Sequence, residues 1–92
     1  MPPKQRFKGK VRFFRPEQQA GLAVVDIPKP VADRLGGLKQ IRVVGKLNGV
    51  EFRSNTMPAG GGVLALSVSR KLLGEAGSKV GDTVDIEVAR AD

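Results

Sequence analysis

The sequence predicts an all-β fold, a small closed six-stranded β-barrel with two short helices and an internal pseudo-twofold repeat. Three observations lead there. Apolar residues recur at period two in six short segments separated by Gly, Pro and Asn, the pattern of strands that bury one face. Asn48-Gly49 stands between two of these segments, and both residues tolerate the positive φ that a two-residue type I′ hairpin turn requires. Laid at an offset of 41 residues, the halves repeat the order strand, strand, short helix, strand, a repeat of pattern with few identities that similar strand spacing alone also produces. With 92 residues, 40% of them hydrophobic, there is room for one domain, and without Cys its core holds with no covalent cross-link.

Residues 1–6 read as a basic N-terminal tail and 7–92 as a single β-barrel domain. Phe7, Gly9, Val11 and Phe13 alternate with Lys8, Lys10, Arg12 and Phe14, so the first strand offers one face to the core and a basic face to water. Arg15 to Gly21 is polar and contains Pro16, which makes a loop, and Leu22 to Ile27 is the second strand. Pro28-Lys29-Pro30 starts a short helix in which Val31 and Leu35 share a face, and Gly36-Gly37 stops it. The third and fourth strands run from Gln40 to Leu47 and from Val50 to Met57. Counting outward from the turn pairs Leu47 with Val50, Lys46 with Glu51, Gly45 with Phe52, Val44 with Arg53 and Val43 with Ser54. Opposite charges meet in the second of these pairs, and Phe52 covers the bare backbone of Gly45. Val63 to Val68 is the fifth strand, after a loop containing Gly60-Gly61-Gly62. Ser69 caps a second helix carrying Leu72, Leu73 and Ala76, and Val84, Ile86 and Val88 alternate with Asp85, Glu87 and Ala89 in the sixth strand. The offset superposes Val11 on Phe52, Val24 on Ala65, Val31 on Leu72, Leu35 on Ala76 and Val43 on Val84. Closing six strands removes the exposed sheet edges of so small a domain.

The composition bounds the chemistry. No His and no Cys means no imidazole base, no thiolate nucleophile and no zinc-finger ligand set. The triple glycine lies between strands, with no Gly-Lys-Ser/Thr after it, so it reads as a hairpin loop and not a phosphate cradle. Asp85 and Glu87 share a solvated strand face, which is not a metal site. Pairing Lys71 with Ser67 or Ser69 would be the one nucleophile to consider, and Ser69 is already spent on the cap. No catalytic, cofactor-binding or metal-ligating residue is assigned, and a non-enzymatic protein is expected.

The net charge of +7 is concentrated at one end. Lys4, Arg6, Lys8, Lys10, Arg12 and Arg15 fall within the first 15 residues without an acid, whereas the other 77 carry ten basic and nine acidic groups. Such an arm attracts nucleic acid or an acidic protein, and these six residues are the candidate nucleic-acid or anion site. Equally, it serves as a solvated, solubilising terminus. No apolar run reaches the roughly 20 residues that span a bilayer, and no apolar leader follows Met1, so a cytoplasmic protein with no membrane partner is expected.

Gly9-Lys10-Val11-Arg12-Phe13-Phe14 resembles the opening strand of cold-shock domains, but Gly21-Leu22-Ala23-Val24-Val25 follows where that family carries its RNA-stacking aromatics. Ile27-Pro28-Lys29 through Gly36 is similar to the strand and short helix of swapped-hairpin AbrB-like regulators, which build a barrel from two chains. A longer resemblance begins at Ile27-Pro28. It continues through Val31-Ala32-Asp33-Arg34-Leu35-Gly36, Val43 to Phe52, Met57-Pro58 with Gly60-Gly61-Gly62, Leu66-Ser67-Val68-Ser69, and Gly77 with Val80 to Ile86. Covering about two-thirds of the chain in order, this set resembles DUF1905, a bacterial family of small β-barrel domains of unknown function. The resemblance implies a compact barrel without established catalytic residues. Where the family is expected to carry a basic residue in the second helix, this chain has Leu73. A monomeric binding module for a protein or a small anionic ligand is the expected function, with nucleic-acid binding through the basic strand as the alternative.

Overall fold

Alternation of apolar and polar residues produces six strands, β1 (Gln5–Phe13), β2 (Ala23–Ile27), β3 (Arg42–Leu47), β4 (Val50–Pro58), β5 (Leu64–Val68) and β6 (Thr83–Arg90). Two short helices, α1 (Lys29–Leu35) and α2 (Arg70–Glu75), interrupt them. The computed structural model describes residues 4–15 and 21–91. Most of the loop expected over Arg15–Gly21, and the first three residues of the expected tail, therefore lie outside the described residues.

The strands close into an antiparallel barrel in the order β1-β2-β5-β4-β3-β6. β1 completes the closure by pairing with β6 on one side and β2 on the other. Inward-facing Val11, Val25, Leu47, Leu66 and Val88 are fully buried. Val31, Ala32 and Leu35 of α1 join the same core as Leu72 and Leu73 of α2. Leu73, only 3% exposed, is thus a core residue. The β3–β4 register matches every pair counted from the Asn48-Gly49 turn, from Leu47 with Val50 to Val43 with Ser54. Asn48 holds φ at 48°, the conformation that the turn demands.

The repeat is real in the pairing, with one correction. Val25 pairs with Leu66 and Lys46 with Glu87, and each pair joins residues 41 apart, so a pseudo-twofold axis runs through both. The first strand of each half follows a different offset. Phe7 pairs with Ile86 and Phe52 with Gly45, which makes Phe7, not Val11, the counterpart of Phe52 at an offset of 45. The connection from β1 to β2 is four residues longer than that from β4 to β5, and this shifts β1 against its counterpart. The halves also interlock, since β3 sits between β4 and β6, and β6 between β3 and β1.

Candidate anion-binding face

Period-two alternation sends Lys4, Arg6, Lys8, Lys10 and Arg12 to the outside of β1 and its approach, and barrel closure then sets acids beside them. Lys4 Nζ lies 3.1 Å from Glu87 Oε1, and Arg6 Nη2 3.6 Å from the other carboxylate oxygen. Lys8 Nζ stands 3.9 Å from Asp85 Oδ1. The register explains these contacts, because Arg6 pairs directly with Glu87 and Lys8 with Asp85. Arg12 donates through Nε and Nη2 to Asp26, at 2.7 Å for the shortest contact, and its pKa is pushed up chiefly by those hydrogen bonds. It runs beside its strand partner Val24, which is fully buried although it lies outside the inner core cluster. Lys10 and Arg15 have no ion-pair partner among the described residues. The structure therefore brings five of the six candidates onto one strand surface and its approach, with Arg15 just beyond, and engages four of them with acids.

Glu87 is the hub of this face. The hydrogen bond from Lys4 holds its carboxyl below the ordinary value of 4.5, and the charges of Lys4, Arg6 and Lys46 add to this against some desolvation. Exposed pairs of this kind are screened by solvent, so they organise charge more than they stabilise the barrel.

Three of the four aromatic rings are engaged within the protein. The Arg70 guanidinium stands 5.7 Å from the centroid of the Phe13 ring, which gives that ring an intramolecular cation–π partner. Phe52 is buried in the core and Phe7 packs against it.

Two grooves flank the Lys46–Glu87 pair on the pseudo-twofold axis. One, of about 640 Å³, is lined by Lys4, Val44, Lys46, Arg53, Glu87 and Ala89, among others. The other, of about 520 Å³, is lined by Arg6, Phe7, Lys8, Lys46, Asp85 and Glu87, among others. They are counterparts under the repeat, since Glu51-Phe52-Arg53 of the first corresponds to Arg6-Phe7-Lys8 of the second. Lys46 and Arg53 of the first groove make no salt bridge among the described residues. Reasoning from sequence missed both as site residues. The hairpin register had already placed Arg53 opposite Val44, but only closure sets Ala89 on the other side of Val44.

Among the described residues no cluster of three metal-ligating side chains occurs, and no helix is long and apolar enough to cross a membrane. The Ser69 hydroxyl accepts a hydrogen bond from the Leu72 N–H at 3.0 Å, the expected cap.

A closed antiparallel barrel with a mixed-charge outer face and two short helices defines the class, a small β-barrel domain. The chain belongs to the family described as Domain of unknown function (DUF1905), whose model matches residues 7–88. The match carries the resemblance back from Ile27 through all but the first two residues of β1. Among curated proteins, none is similar to this chain.

Proposed function

We propose that this domain is a non-enzymatic binding module that takes a protein or a small anionic ligand on the outer face of β1, β6, β3 and β4. One observation carries the reading. Lys4, Arg6, Lys8, Lys46 and Arg53 gather there with Glu51, Asp85 and Glu87, five cations against three carboxylates, around two shallow grooves. A surface with a cationic excess and partly apolar floors favours ligands that combine negative charge with some apolar area. The engagement of Ser69 as a helix cap supports the non-enzymatic side of the reading.

Nucleic acid along β1 is the second reading, supported by Lys10 and Arg15. Against it, Glu87, Asp85 and Asp26 engage Lys4, Arg6, Lys8 and Arg12 along the strand, so an extended polyanion following β1 meets repeated carboxylates, whereas a small ligand needs only one local cationic patch.

Backbone amide shifts of isotope-labelled protein, titrated with acidic peptides and small organic and inorganic anions, test the proposal. Saturable shifts confined to β3, β4, β6 and β1 are expected. In parallel, anisotropy of labelled single-stranded and duplex oligonucleotides at about 50 and 200 mM salt reads the alternative, because backbone-driven affinity falls by orders of magnitude over that range. Salt-resistant, saturable oligonucleotide binding would replace the first reading by the second, and the absence of both localised shifts and saturable oligonucleotide binding would overturn both.

A further inference from the structure

Within the binding-module reading, on which this inference rests, the two grooves are not equivalent. In the β1 groove, Arg6 and Lys8 are engaged by Glu87 and Asp85. In the β4 groove, the corresponding positions are Glu51 and Arg53, and Arg53 together with Lys46 is free of salt bridges among the described residues. Lys46 pairs with Glu51 in the register, so Arg53 is its diagonal neighbour across β3 and β4, a separation of about 7–8 Å. Glu51 and Glu87 face Lys46 from either side in the register, whereas Arg53 faces Val44, so Arg53 is the cation of this groove with no acid opposite it on β3, and an anion between Arg53 and Lys46 supplies one. Beside Arg53 lies Val44, and beside Val44 lies Ala89, only 8% exposed, so an apolar floor adjoins the cationic pair. Lys4 closes the far side of that floor.

We infer that the groove between β4 and β6 is a binding site for a small organic carboxylate with a compact apolar body. Its carboxylate sits between Arg53 and Lys46, and its apolar part lies on Val44 and Ala89. Arg53 supplies the planar fork that matches a carboxylate, and Lys46 supplies a point charge. Inorganic anions satisfy the cations and leave the floor wet, whereas uncharged apolar molecules do the reverse. The site therefore prefers a ligand that has both parts.

The probes are benzoate, acetate and benzyl alcohol, titrated into the 92-residue chain and followed by backbone amide shifts. Benzoate is expected to move Val44, Lys46, Arg53 and Ala89 saturably and to leave Lys8 and Asp85 of the sister groove unmoved. Acetate and benzyl alcohol are expected to bind at least about tenfold more weakly, each lacking one of the two parts. Arg53→Gln and Lys46→Gln, both at exposed positions, are expected to weaken benzoate about five- to tenfold each. Lys71→Gln, on the exposed surface of α2, is expected to change nothing. Benzoate shifts located elsewhere, or unaltered by both groove variants, would overturn this site while leaving the binding-module reading in place. Equal affinity for acetate would overturn the role of the floor. Should an acidic peptide move these residues while benzoate does not, the small-acid assignment falls and a protein ligand takes its place. Absence of localised shifts from peptides and from every small anion would overturn the underlying reading together with the site.

Discussion

At the scale of single residues, three side chains show how local chemistry is enlisted by the barrel. Thr56 is completely buried, its hydroxyl donating to the Lys39 carbonyl at 3.0 Å and accepting from the Ile41 N–H at 3.1 Å. Replacing it with Val keeps the volume and strands both partners, so Thr56→Val is expected to cost about 1–3 kcal/mol in urea denaturation. Gly45 is required by its neighbour's backbone. A Cβ there would stand 1.7 Å from the Glu87 carbonyl oxygen, and Gly45→Ala is expected to destabilise the protein by about 3 kcal/mol or more, read from the same denaturation curves. Glu87 makes the residue-scale prediction for pH. Its carboxyl is held below the ordinary value in the folded state, so the stabilisation it brings is present above the unfolded value and is lost as pH falls through the folded one. Thermal melts across the acidic range are expected to show a shallower loss of stability for Glu87→Gln than for the wild type. Identical acid limbs would mean that the Lys4 contact is not maintained in solution.

Elements differ in where their stability comes from. α1 begins at Pro28 without a side-chain cap, so it depends on Val31, Ala32 and Leu35 packing into the core. α2 has the Ser69 cap, and Ser69→Ala is expected to lower stability by about 1 kcal/mol. Gly74 of the same helix has open space around the position of a Cβ and no unusual backbone angle. Gly74→Ala is therefore expected to raise stability by about 0.5–1 kcal/mol, mainly by restricting the unfolded chain, and a fall in melting temperature would contradict this. The β3–β4 hairpin was the most legible element, since a two-residue turn leaves one register. β1 was legible as a strand from its alternation, but not in its relation to β4. The Val11–Phe52 equivalence failed because a constant offset ignores the longer connection after β1.

For the molecule as a whole, the interlocked strand order matters most. Each half contributes its third strand to a place between strands of the other, so neither half can close a core alone. Fragments 1–48 and 49–92 are each expected to lack a cooperative thermal transition by circular dichroism, and to regain one when mixed in equal amounts. A cooperative transition in either isolated fragment would show that the interlocking is not needed for folding. The same closure neutralises much of the basic strand. β6 brings Asp85 and Glu87 against Lys8 and Arg6, and β2 brings Asp26 against Arg12, which turns an apparently uncompensated arm into a face of mixed charge.

Alternation, turn chemistry and capping are local properties, so the sequence by itself determined the strand and helix types, the hairpin register about Asn48-Gly49, the Ser69 cap and the all-β class. It also located the basic residues of β1 and showed their alternation with an apolar face. Strand order, closure and the partners of those cations depend on contacts between residues far apart in the chain, and only the tertiary structure decided them. Gly45 illustrates the division. Its pairing with Phe52 follows from counting outward from a turn, whereas the closeness of Glu87 that forbids a side chain there exists only once β6 lies beside β3. The groove of Arg53, Lys46, Val44 and Ala89 arises in the same way, because Arg53 and Ala89 on its two sides are 36 residues apart in the sequence and are brought together by barrel closure.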